Sequence, residues 1–69
     1  MILDHTPLSL KKGDVLTWSV REWEGVEVLI LEDSDGWVAK GMYIGEYQPG
    51  RVIDNKSQWQ HTEVTVERS

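Results

Sequence analysis

The side chains in this sequence that could do chemistry are carboxylates and aromatic rings. Acidic residues gather at Glu22, Glu24 and Glu27 and again at Glu32, Asp33 and Asp35, and the first group encloses Trp23. Tyr43 and Tyr47 flank a glycine-containing segment, and Trp59 stands alone in a polar stretch. Exposed rings anchor protein contacts and carboxylates select a basic partner surface, so these ten residues form the candidate binding set. Two hairpins that bring both acidic groups to one rim would make a negative patch around Trp23. Left apart, the same acids are solvated turn residues. Trp59 also has two readings: it joins the exposed set, or it folds back to plug the end of a small barrel. Trp18 and Trp37 fall at strand positions that favour burial.

Catalysis and metal binding find little support. Ser, His and Asp all occur, but no nucleophile-elbow motif places them, and so short a chain has little interior for a water-excluding pocket. The expectation is no enzyme activity and no cofactor. His5 and His61 are the only histidines and Cys is absent, so disulfides are excluded and a tetrahedral zinc site would have to recruit carboxylates. Asp33-Ser34-Asp35-Gly36 resembles a fragment of a calcium loop. That loop needs another ligand before its Gly and a Glu six residues after it, where this chain has Met42. The segment reads as a turn.

The elements that must position these residues come from a chain of 69 residues, enough for one core and one domain spanning 1–69. Hydrophobic residues make up 39% and charged residues 28%, a balance that folds. The formal charge of -5 argues against a polyanionic ligand, because nucleic-acid affinity rests on Lys and Arg neutralising phosphates. The expected partner is therefore another protein with a basic or neutral surface. Self-association is a second way for so small a domain to bury surface. No run of eighteen apolar residues and no basic, apolar leader is present, so neither membrane insertion nor export is expected and the location is cytoplasmic by default.

Period-2 alternation dominates, predicting five strands separated by turns. Val15 to Val20 places Leu16, Trp18 and Val20 on one face. Val26 to Leu31, apolar on both faces towards its end, is the expected central strand. Trp37 to Ile44 sets Trp37, Ala39, Gly41 and Tyr43 opposite Val38, Lys40, Met42 and Ile44, and Gly41 within it predicts a bend, a bulge or close backbone approach. Arg51 to Ile53 is a short fourth strand, and Glu63 to Glu67 turns Val64 and Val66 inward. Gly25 allows a hairpin, Glu32 to Gly36 is the clearest turn, and Asp54 to His61 reads as a loop or a single helical turn. The first seven residues are a loose arm or an edge strand. Short strands of this kind close into an all-β, mostly antiparallel barrel.

Leu8-Ser9-Leu10-Lys11-Lys12-Gly13-Asp14-Val15-Leu16 resembles the segment of SH3 domains that leaves the first long loop and enters the second strand. Asp33-Ser34-Asp35-Gly36-Trp37, with Gly41 following, resembles the turn into the tryptophan strand of that family, and Pro49 falls near the position of its proline. The resemblance covers about half of the chain and implies an SH3-like barrel. Of the family's platform for proline-rich peptides only Trp37 and Pro49 carry over. No Tyr precedes Leu8, and Gly50-Arg51-Val52 replaces the terminal signature, so fold is implied more than function.

The leading functional expectation is a noncatalytic interaction module presenting aromatic and acidic side chains from a small barrel. A rival is an acidic mimic of nucleic acid that inhibits a nuclease or other nucleic-acid-binding protein, which requires carboxylates spaced along an elongated face. A third, an oligonucleotide-binding barrel, would stack bases on Trp and Tyr but lacks a positive funnel, its Lys11, Lys12, Lys40, Arg51, Lys56 and Arg68 being scattered among acids.

Overall fold

The computed structural model describes residues 2–4, 9–60 and 63–68. The chain is all-β. In order it forms β1 (Ile2–Asp4), β2 (Val15–Trp18), a 3-10 turn at Arg21–Trp23, β3 (Glu27–Ile30), β4 (Val38–Tyr43), β5 (Val52–Gln58) and β6 (Val64–Arg68). All six strands join one antiparallel sheet in the order β1-β6-β2-β3-β4-β5. Strands β2 to β5 run as a meander, and β6 returns to pair with β2 through Leu16↔Val66 and Trp18↔Val64.

Alternation decides which face is buried. Leu16 and Trp18 from β2, Val28 and Ile30 from β3, Ala39 from β4, and Val64 and Val66 from β6 all point inward and are buried. Each such aliphatic contributes about 1.5–3 kcal/mol of burial energy. Among the described residues no helix covers that face, and the sheet buries it by curling over itself into a barrel-like globule. Principal extents of 26 × 23 × 21 Å agree, since a flat sheet would be thin in one direction.

Gly41 serves both purposes expected of it. A Cβ there would lie 2.6 Å from Val28 Cγ1 and 3.0 Å from Trp59 Cζ2, so the ring of Trp59 can cross β4 only where no side chain stands. Beside it, Ala39 pairs with Ser57 but Gly41 pairs with Ile53, so residues 54 to 56 of β5 face the single Lys40. Such a bulge adds local twist and bends the strand.

The turn before β2 is built on Gly13, whose φ of 96° is accessible to glycine at little cost. Asp14, only 2% exposed, accepts a hydrogen bond from Lys11 N at 3.0 Å and another from Arg68 Nη1 at 2.6 Å. Arg68 also donates to Ser9 O at 2.9 Å, tying the last strand to the segment entering the first turn. A carboxylate this buried is tolerable because it is paired and hydrogen-bonded.

The amino-terminal segment takes the edge-strand alternative, Ile2–Asp4 pairing with β6 at the sheet edge. Strand positions differ from expectation elsewhere. Strand β5 runs on through Asp54 to Gln58, where a loop or helical turn was expected, because the bulge lets its polar side chains face solvent while the backbone pairs with β4. Trp37 precedes β4 and is partly buried, packed against the core from a bend. His5 and His61 lie outside the described residues.

Candidate functional site

Strand direction separates the candidate residues into two groups. Because β2, β3 and β4 are antiparallel neighbours, the 21–25 connection and the 44–51 connection meet at one end of the sheet, and the 9–14 and 31–37 connections meet at the other. Glu22, Glu24 and Glu27 therefore lie at the opposite end of β3 from Glu32, Asp33 and Asp35. Of the two readings of these acids, the one that needed both hairpins at one rim is not met, because the two groups stand at opposite ends.

At the first end, main-chain bonds hold the two connections. The 3-10 turn closes with Trp23 N donating to Val20 O at 3.0 Å, and Val26 N returns to Trp23 O at 3.0 Å. Gly25, with φ of 84°, turns its carbonyl to the neighbouring loop, where it accepts from Glu46 N at 2.8 Å and Tyr47 N at 3.2 Å. Gly45 makes this approach sterically feasible, since a Cβ there would run into Gly25 O and lie 3.1 Å from Glu27 Cβ. Tyr43 closes the same loop from the other side, its N bonded to Arg51 O at 2.9 Å and its O accepting from Gly50 N at 2.7 Å.

These bonds line up five rings. Trp23 lies 5.1 Å from Trp18 between centroids, Trp18 lies 6.5 Å from Trp59, Trp59 lies 6.4 Å from Tyr43, and Tyr43 lies 5.2 Å from Tyr47. Offset and edge-to-face rings at such distances gain about 0.5–1.5 kcal/mol per pair beyond area burial. The chain begins and ends exposed, with Trp23 at 39% and Tyr47 at 45%, and its centre is core, with Trp18 at 8% and Trp59 at 7%.

The exposed-surface reading of Trp59 is thereby replaced by the plug reading. Its Nε1 donates to Ala39 O at 2.8 Å, so both the ring and its polar handle are satisfied inside. The polar neighbours Gln58 and Gln60 suggested exposure, but they flank a residue that follows a curling strand and so points inward. Trp18 Nε1 is buried with no acceptor among the described residues, an uncommon state for an indole.

Two hollows open on these rings, with Trp23 and Tyr43 common to both. A groove of about 340 Å³ runs over Trp18, Trp23, Tyr43, Ile53 and Trp59, with Ser57, Gln58 and Gln60 at its side. A smaller hollow of about 250 Å³ is walled by Trp23, Tyr43 and Tyr47, floored by Val26, and rimmed by Glu22 and Glu24. Ile53, read as the end of a short strand, and the polar residues of β5, read as a loop or a helical turn, were absent from the sequence-derived set. Glu46 was absent too; its carboxylate reaches to within 3.3 Å of where a Cβ on Gly25 would stand, adding to the negative charge beside the hollow.

The other end uses its acids internally. Asp33 Oδ1 accepts Lys12 N at 2.9 Å and Glu32 Oε1 accepts Lys40 N at 3.2 Å, while Leu10 and Ser34 exchange backbone bonds at 3.1 and 2.7 Å. Asp35 stays exposed beside a wider hollow of about 440 Å³ lined also by Asp33, Ser34, Gly36, Val38 and Lys56. Its basic Lys56 faces acids already committed to the turn or to solvent, and no aromatic ring lines it.

The chain matches no protein-family model, no curated protein and no solved structure.

Proposed function

We propose that the protein is a noncatalytic interaction module that docks a basic segment of a partner protein on the aromatic end of its sheet. The observation that carries this reading is the pair of hollows that share Trp23 and Tyr43 on one connected chain of five rings, the smaller of them lined also by Glu22 and Glu24. Rings held rigidly by core packing bind at low entropic cost, which favours them as anchors. Surrounding carboxylates steer a positively charged partner and reject acidic ones. The backbone meander with its last strand returned to β2 supports an SH3-like barrel as the scaffold, although Trp37 and Pro49, the two positions shared with that family's peptide platform, line neither aromatic hollow.

The nucleic-acid mimic fits less well. Its carboxylates would have to stand free along an elongated face, whereas the near-equal extents and the division of acids between two ends, with Glu32 and Asp33 bonded to backbone, work against it.

The test is a peptide array of basic, neutral and acidic sequences probed with the full chain, followed by amide chemical-shift mapping of the best ligand. Basic peptides should bind, with shifts concentrated at residues 21–26, 43–47 and 53–60. Preference for acidic peptides, or shifts centred on 31–36, would overturn the reading.

A further inference from the structure

The smaller hollow has a more specific chemistry than a general basic groove. Tyr43 and Tyr47 stand nearly perpendicular, at 84° with centroids 5.2 Å apart, so together they make a corner rather than a flat platform. Trp23 adds a third aromatic wall, buried Val26 supplies an apolar floor, and the carboxylates of Glu22 and Glu24 sit at the mouth. Among the described residues no hydrogen bond or ion pair engages either carboxylate. The corner is preset, because the bonds from Glu46 N and Tyr47 N to Gly25 O lock Tyr47 against the 3-10 turn that carries Trp23.

Ring faces attract cations, and the attraction survives only when the cation sheds water cheaply. A primary ammonium is strongly hydrated, and an apolar floor offers it no hydrogen bond. A guanidinium is flat and forked, so it would press one face on a single ring of a perpendicular corner and leave its donors short of acceptors inside. A methylated ammonium is round, weakly hydrated and without obligatory donors, and it touches several walls at once. We propose that the hollow bounded by Trp23, Tyr43 and Tyr47 holds a methylated ammonium group, as on a methylated lysine side chain of the partner, with Glu22 and Glu24 supplying charge complementarity at the mouth. This rests on the reading of the aromatic end as a docking site for a basic segment and names the group that segment presents.

The experiment titrates the full chain with tetramethylammonium, guanidinium and ammonium chlorides at matched ionic strength, following Trp23 indole and Tyr47 ring resonances. A parallel arm compares the best basic peptide with the same peptide trimethylated at one lysine. Tetramethylammonium should shift both rings with roughly millimolar affinity while the other two salts do not, and trimethylation should strengthen peptide binding roughly tenfold, the scale of a partly desolvated cation–π contact. Trp23→Ala should abolish that gain and Trp23→Phe should keep part of it, which separates loss of a wall from loss of fold. Replacing Glu22 and Glu24 with Gln should weaken the tetramethylammonium response several-fold. Guanidinium binding as strongly as tetramethylammonium, or trimethylation without effect, overturns the proposal. If basic peptides still bind in that case, the docking reading stands alone; if none binds, both fall.

Discussion

The two ends of the sheet solve the same problem, holding two connections together, by different means. At the 9–14 and 31–37 end, carboxylates add to the Leu10–Ser34 backbone pair: Asp33 takes Lys12 N across the two connections, while Asp14 takes Lys11 N and Glu32 takes Lys40 N within their own turns. At the 21–25 and 44–51 end, backbone carbonyls take the donors, Gly25 O receiving both Glu46 N and Tyr47 N, and glycine at 45 permits the approach. A connection fixed by its own main chain does not need carboxylates to hold it. That is why acids of similar number and spacing are structural at one end and available for contact at the other.

The contrast can be broken at several points. The largest effect is expected where the aromatic chain becomes core: Trp18→Ala or Trp59→Ala should cost about 3–5 kcal/mol by denaturant unfolding, enough to unfold a domain of this size. Next, at the carboxylate-held end, Asp14→Ala removes the acceptor of Lys11 N and the buried ion-pair partner of Arg68 and should cost about 2–3 kcal/mol, measured the same way. Gly45→Ala should cost about 1–3 kcal/mol, since the obstruction is the carbonyl of Gly25 and no rotamer change relieves it. It should also weaken peptide binding by displacing Tyr47, which Asp14→Ala should not do in the folded fraction. Smallest, Glu22→Gln and Glu24→Gln should change stability by no more than about 0.5 kcal/mol while reducing the rate of association with a basic peptide at low salt.

Much of the scaffold was legible because period-2 alternation reports burial directly. Leu16, Trp18, Val28, Ile30, Val64 and Val66 all face inward as the pattern requires, and β3 is central as its double-sided apolar character implies. Gly41 was legible as a place of close approach, but not what approaches. The ring of Trp59 arrives from a residue eighteen positions later, and only tertiary structure makes that contact. The extension of β5 was hidden because its side chains are polar on an edge strand, where backbone pairing needs no apolar alternation. Of the candidate site, Trp23, Tyr43, Tyr47, Glu22 and Glu24 converge on one hollow. Glu32 and Asp33 could not be told apart from them, since composition does not reveal which carboxylates the backbone will use.

If the exposed rings at one end serve contact and the buried rings behind them serve folding, substitutions at the two should part binding from stability. The most direct test measures unfolding midpoint and affinity for the best basic peptide on the same two proteins, Trp23→Ala and Trp59→Ala. Trp23→Ala should lose about 2 kcal/mol or more of binding and clearly less stability than Trp59→Ala, since its ring is 39% exposed where that of Trp59 is buried. Trp59→Ala should lose the fold first. The account is contradicted if Trp23→Ala unfolds as readily as Trp59→Ala, or if it binds the peptide as the parent does while replacing Asp33 and Asp35 with Asn abolishes binding.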